Sequence, residues 1–171
     1  PAKMDEIIEI ANENDIRIVE DAAPSIGATF KGAKTGSFGD FGAFSFQGAK
    51  LMVTGEGGML VTSDKNLYEK AKKVWDQGRN AKHVKAFWID EKGLKYKMSN
   101  VQAAIGVGQL RRIDDLISKK RKINKWYRNK LGEIKSITFQ NEYQDSESIC
   151  WMTSFRVLEN SNITRDELMR L

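Results

Sequence analysis

One lysine stands where chemistry could be done. The stretch Phe44-Ser45-Phe46-Gln47-Gly48-Ala49-Lys50-Leu51-Met52-Val53-Thr54-Gly55-Glu56-Gly57-Gly58 runs from an aromatic strand, Ala43 to Phe46, through a small-residue turn carrying Lys50. A glycine-rich turn then leads into the apolar run Met59 to Val61. A lysine at the ends of two strands, partly withdrawn from water, can lose its charge and attack a carbonyl to form a Schiff base. The competing reading is one more solvated lysine. A second candidate is Asp21, which closes the strand-like run Ile16-Arg17-Ile18-Val19-Glu20-Asp21 on two acids. In a parallel sheet, ligands gather at the carboxyl ends of strands; Asp21 serves equally well as a cap for the turn Ala22-Ala23-Pro24-Ser25. His83 is the only histidine and Cys150 the only cysteine. No metal cluster is therefore expected; His83 reads as a surface loop residue and Cys150 as an inert thiol.

The elements that must position these groups follow from periodicity. A helix is expected from Met4, with Ile7, Ile8, Ile10 and Ala11 at helical spacing. The buried strand Ile16 to Asp21 comes next, then a glycine-rich hairpin or loop from Thr29 to Asp40. That loop lacks the spacing of a phosphate-binding P-loop. Ser63 or Asp64 caps a helix with Leu67, Ala71, Val74 and Trp75 on its apolar face and Gly78 as its C′ residue. Arg79 to Gly93 is irregular and basic. From Ser99 a long helical pattern runs to Leu131 as two helices or one bent one, with the small residues Ala103, Ala104, Gly106 and Gly108 permitting close approach. Two strand candidates, Ile137 to Phe139 and Trp151 to Leu158, flank a polar loop from Asn141 to Ser148. Helix followed by apolar strand is an α/β pattern, and the C-terminal part reads as the start of an α+β unit.

Composition narrows the function classes. The chain has 171 residues, 40% of them hydrophobic, and a net charge of +5, which suits a globular protein with a mild preference for anionic ligands. Basic residues do not interleave with aromatics as a nucleic-acid surface requires, and Lys119-Lys120-Arg121-Lys122 reads as a solvated helix face. No apolar run approaches the ~18 residues that span a bilayer, so no membrane role and a cytoplasmic location are expected. The chain opens at Pro1 directly into a helical pattern and stops within another, Thr164 to Leu171. Both ends read as cut.

Three stretches together resemble one family. They are Glu20-Asp21-Ala22-Ala23; then Gly36-Ser37-Phe38-Gly39-Asp40 with Phe44-Ser45-Phe46, Lys50 and Thr54-Gly55-Glu56-Gly57-Gly58; then Tyr96-Lys97-Met98-Ser99-Asn100 with Gln102-Ala103-Ala104 and Gln109-Leu110. In this order they look like the pyridoxal-phosphate-dependent sugar aminotransferases of the DegT/StrS type. The resemblance implies a fold-type-I architecture: residues 1–110 as part of a large cofactor-binding domain with a mainly parallel sheet and flanking helices, and 111–171 as a linking helix with an incomplete small domain. It also implies a homodimer with sites at the subunit interface. By matching position, Lys50 forms the internal aldimine with pyridoxal 5′-phosphate, Asp21 pairs with the pyridine nitrogen and Ser45 hydrogen-bonds the phosphate. Lys95 stands where many members carry an Asn that reaches the phosphate of the neighbouring subunit. Pro24 stands where members often carry His or Gln, and it cannot donate a side-chain hydrogen bond. The implied reaction moves an amino group, commonly from L-glutamate, to a keto group of a nucleotide-linked deoxysugar. Two alternatives follow from the same family: a sugar dehydratase, in which histidine replaces the lysine, and a non-catalytic cofactor-binding relative. A plain α/β interaction module is the reading outside it. The family's N-terminal half, with the main phosphate loop, has no counterpart here, so the isolated chain is expected to be inactive.

Overall fold

The computed structural model describes residues 1–79, 88–89 and 91–171. Helix α1 (Met4–Glu13) buries Met4 and Ala11 and ends where Asp15 turns left-handed, at φ 51°. The chain returns in β1 (Val19–Asp21), which pairs in parallel with β4 (Phe41–Ser45) in the register Val19 to Phe41, Glu20 to Gly42, Asp21 to Ala43. The antiparallel β5 (Gly58–Val61) completes a three-stranded sheet of order β1-β4-β5. The α/β expectation holds, with the sheet mixed in direction.

The glycine-rich stretch is a hairpin followed by a loop. Strands β2 (Thr29–Phe30) and β3 (Ala33–Lys34) are joined by Lys31 and Gly32, with φ of 48° and 79°. Two successive positive φ angles are what a type I′ hairpin turn demands. On the other edge of β2 lies β7 (Ser146–Glu147), antiparallel to it. This pairing draws the polar loop after residue 140 into contact with the first forty residues. The core repeats the connection: Ala28, Leu51, Ile117 and Ile149 form one buried cluster, with Ile26, Ile113, Leu116 and Trp151 packed around it.

Helix α2 (Lys65–Trp75) is capped by Asp64, whose carboxylate accepts from the N–H of Asn66 and Leu67. At its far end the expected C′ glycine is displaced by one residue. Gln77 is the first left-handed residue, φ 65°, and Gly78 follows at φ 71°, its N–H bonded to Lys73 C=O at 2.8 Å. Gly78 is needed for another reason: a Cβ there would sit 1.8 Å from the Glu91 carbonyl. The long helical pattern divides into α3 (Asn100–Leu110) and α4 (Ile113–Leu131). Ser99 and Gln102 form a capping box on α3. On α4, Lys119 pairs with Asp115 and Arg121 donates to Ser148 C=O. The hairpin β6 (Ile137–Phe139) and β8 (Phe155–Val157) and the short α5 (Arg165–Leu168) complete the fold. Among the described residues no helix is long and apolar enough to cross a membrane.

One expectation about burial is corrected. The strand expected to be buried from Ile16 to Asp21 is shorter, and its Val19 is 64% exposed; of its three residues only Glu20 is buried. β1 has a partner on one side only, and nothing among the described residues covers the Val19 face. On α3 the apolar face is likewise open, since only Gly106 is buried while Val101, Ile105 and Leu110 are exposed. The expected close approach occurs at Gly106, where a Cβ would lie 3.1 Å from Thr54 Cγ2.

Candidate functional site

Strand parity sorts the acids. Side chains alternate across a sheet, and the β1–β4 register puts Asp21 on one face with Ala43 and Ser45 and puts Glu20 on the other with Gly42 and Phe44. The Glu20 face is closed by the loop 36–39. A buried Glu20 carboxylate accepts the N–H groups of Gly36 at 2.7 Å, Phe38 at 2.6 Å and Gly39 at 2.9 Å. Backbone packs directly on backbone there, for a Cβ on Gly42 would lie 2.1 Å from the Gly36 carbonyl. The Asp21 face is open. Asp21 is exposed; its Oδ1 accepts from Ala23 N–H at 3.1 Å, and its second oxygen has no partner among the described residues. Asp21 thus caps the turn at Ala22–Ser25 at the strand end. The capping contact expected of Asp21 is therefore present.

Beyond Ser45 the chain loops out and returns. Ser45 Oγ accepts from Gln47 N–H at 3.4 Å, Phe46 N–H bonds Gly57 C=O at 2.8 Å, and Thr54 N–H bonds Phe46 C=O at 2.9 Å. These bonds close the neck of the loop. Phe46, Leu51, Met52 and Thr54 are buried anchors, whereas Gln47, Gly48 and Ala49 are exposed. Lys50 lies between, half-buried, its N–H bonded to Gln47 C=O at 2.9 Å. Its ammonium stands 4.4 Å from the centroid of the Trp151 ring, and the Trp151 indole N–H donates to Ala49 C=O at 2.8 Å. Gln102 ties the far side of the loop to α3, donating to Glu56 C=O at 3.1 Å. Glu20, Trp151 and Gln102 have contacts in this site that spacing in the sequence did not reveal, although Glu20 and Gln102 lie within the stretches that carry the family resemblance.

Lys95 lies elsewhere. Its segment docks on the end of α2, through Leu94 N–H to Val74 C=O at 2.7 Å and Tyr96 N–H to Trp75 C=O at 3.3 Å. The neighbouring Lys97 pairs with Asp76, which holds that carboxyl below its ordinary range. Lys95 itself is exposed and has no described contact with Lys50, Asp21 or Ser45. His83 lies outside the described residues. Among those described, no three His, Cys, Asp or Glu side chains come together to hold a metal. A cavity of about 660 Å³ opens between α4 and the chain after Gln140, near Arg121, Arg128 and Ser148, away from Asp21 and Ser45.

A group bearing an aldehyde, a ring nitrogen and a phosphate would meet complementary chemistry here. Asp21 offers a carboxylate oxygen with no partner among the described residues and Ser45 a hydroxyl, both at one edge of one sheet, and Lys50 offers an amine on the loop that follows Ser45. The residues fit pyridoxal phosphate.

Comparison with known proteins identifies the family. A model of the DegT/DnrJ/EryC1/StrS aminotransferase family matches residues 1–171. The GDP-perosamine synthase of Caulobacter vibrioides is 36% identical over 98% of this chain and 45% of its own length. The GDP-perosamine synthase of Escherichia coli O157:H7 is 39% identical over 98% of this chain and 44% of its own. Among solved structures, the E. coli GDP-4-keto-6-deoxy-D-mannose-3-dehydratase with bound hydrated PLP superposes with a TM-score of 0.88 at 27% identity, over 99% of this chain and 47% of that one. The chain thus spans less than half the length of these relatives. It belongs to the DegT/DnrJ/EryC1/StrS aminotransferase family and has part of the fold-type-I aminotransferase architecture.

Proposed function

We propose, on the premise of that membership, that this chain carries the lysine-bearing part of a pyridoxal-phosphate site at which an amino group passes, with L-glutamate as donor, to a keto group of a nucleotide-linked deoxysugar in the cytoplasm. The observation that carries the reading is the shared open edge: Asp21 and Ser45 end adjacent parallel strands on one face, and the chain leaving that edge brings Lys50. Residues 1–110 are read as part of the large domain and 111–171 as the linking helix and part of the small one.

When bound, the cofactor supplies a carbonyl carbon that takes up the amino group and a ring that accepts electrons. Asp21 holds a proton on the ring nitrogen through its free oxygen, a charge-assisted bond of the stronger kind. Ser45 donates its hydroxyl to the phosphate. Lys50 Nζ takes and returns a proton, a role typically worth ~10²–10⁴ in rate. Lys95, on the exposed segment along α2, adds positive charge toward the phosphate in a second copy of the chain, which makes the working unit a homodimer. Pro24 contributes no donor at its position. Lys50 supports amino transfer over dehydration, since the dehydratases of this family carry histidine there.

The test is borohydride reduction after incubation with pyridoxal phosphate, followed by peptide mass mapping, on the full-length protein and on this chain. A phosphopyridoxyl group on Lys50 is expected in the full-length protein. Labelling spread over other lysines, with Lys50 unmodified, would overturn the assignment.

A further inference from the structure

We propose that Trp151 is the positioning residue for Lys50, its indole face being the seat the free amine occupies whenever it carries no covalent bond. The proposal deepens the reading of Lys50 as the cofactor lysine and rests on it. Three observations meet at this contact. The Lys50 ammonium stands 4.4 Å above the ring centroid, within the ~6 Å at which a cation is attracted by an aromatic face. Among the described residues that ring is the partner found for the ammonium; no carboxylate pairs with it. The ring is itself held: the indole N–H donates to Ala49 C=O at 2.8 Å, next to Lys50 in the chain, and the ring packs on the cluster of Ala28, Leu51, Ile117 and Ile149.

The geometry has a chemical use. Leu51 is fixed in the same cluster that fixes Trp151, so lysine and ring are held relative to each other by one piece of core rather than by two flexible loops. A lysine released during turnover must wait close by and return without wandering among solvent-exposed rotamers. A carboxylate in this place would bind the ammonium strongly and compete with return; an aromatic face holds it weakly enough to leave.

The test replaces Trp151 in the full-length, cofactor-free protein by 5-fluoro-, 5,7-difluoro- and 5,6,7-trifluorotryptophan, which keep the ring's shape and N–H while draining charge from its face. Lysines are modified with limiting acetic anhydride, and Lys50 is read against the exposed Lys65 and Lys125 by mass mapping. Weakening a cation–π contact of ordinary strength is expected to raise Lys50 modification stepwise, by about two- to fivefold across the series. A Trp151→Leu variant should reach the same limit at once. A flat series overturns the seat, because a merely structural tryptophan would not respond to fluorine. Borohydride labelling of the unsubstituted protein separates the two ideas: Lys50 labelled with a flat series sinks the seat alone, whereas a stepwise series with Lys50 unlabelled sinks the cofactor reading alone.

Discussion

Replacing Glu20 by glutamine should release one backbone amide and spare two. The side chain is 9% exposed, its Oε2 accepts from Gly36, and its Oε1 accepts from both Phe38 and Gly39. In Glu20→Gln the retained carbonyl oxygen serves best on the two-donor side, which leaves the new amide NH₂ facing the Gly36 N–H, donor against donor. A hydrogen bond to a charged group contributes roughly 1.5–3 kcal/mol, and at 1.4 kcal/mol per tenfold its loss should speed exchange of the Gly36 amide by about 10- to 150-fold. Phe38 and Gly39 keep a neutral acceptor and should change by less than about tenfold. In Glu20→Ala all three amides should accelerate. Hydrogen exchange resolved to single residues is the assay, with the Ala22 amide, bonded to Ala43 C=O at 2.9 Å, as the internal standard. Unchanged exchange at Gly36 in Glu20→Gln, or acceleration at Gly36 no greater than at Ala22, would refute the view that this carboxylate clamps the loop to the sheet.

Gly42→Ala should destabilise the protein by at least about 1–3 kcal/mol, because the added methyl meets the Gly36 carbonyl carbon and oxygen, which are backbone and cannot swing aside. Gly48→Ala, whose Cβ would find only the Gly55 carbonyl at 3.9 Å, should stay within about 0.5 kcal/mol; equal midpoints for the two in urea would contradict the packing. Asp40 accepts from the Ile18 N–H and pairs with Arg17, and these hold its carboxyl below the ordinary value of 3.8. A carboxyl depressed on folding adds stability that is present above its unfolded value and is lost as pH falls through the folded one. Asp40→Asn should therefore flatten the fall in melting temperature below about pH 4, and a parallel fall in both proteins would remove Asp40 from the acid limb.

Much of this site could be read from local pattern because local rules place its parts. The aromatic strand before Lys50 and the apolar run after the glycines became β4 and β5 within a residue or two, and Asp64 and Ser99 cap the helices their spacing announced. What stayed hidden depends on contacts between distant residues. Two adjacent acids end β1, and parity alone says that they part; which one is buried is decided by the loop 36–39, which covers one face only. The polar stretch containing Ser146 and Glu147 has no strand pattern, and its pairing with Thr29 and Phe30 is imposed by the hairpin edge it meets. Trp151 read as the start of a strand, yet its indole is committed to Ala49, 102 positions earlier.

The division of labour between neighbours in β1 explains why such a site tolerates an exposed carboxylate. On the proposed reading Asp21 keeps an oxygen free for the cofactor, so anchoring the strand end falls to its neighbour. Glu20 takes that task on the opposite face, with three amides where Asp21 holds one. The same logic applies at the lysine. On the same reading Lys50 has to move, and it is Leu51 that carries the burial and the Ala49 carbonyl that carries the tether to Trp151. In each case the residue proposed to meet the cofactor is flanked by one that does the holding, and the flanking residue sets where the other can lie.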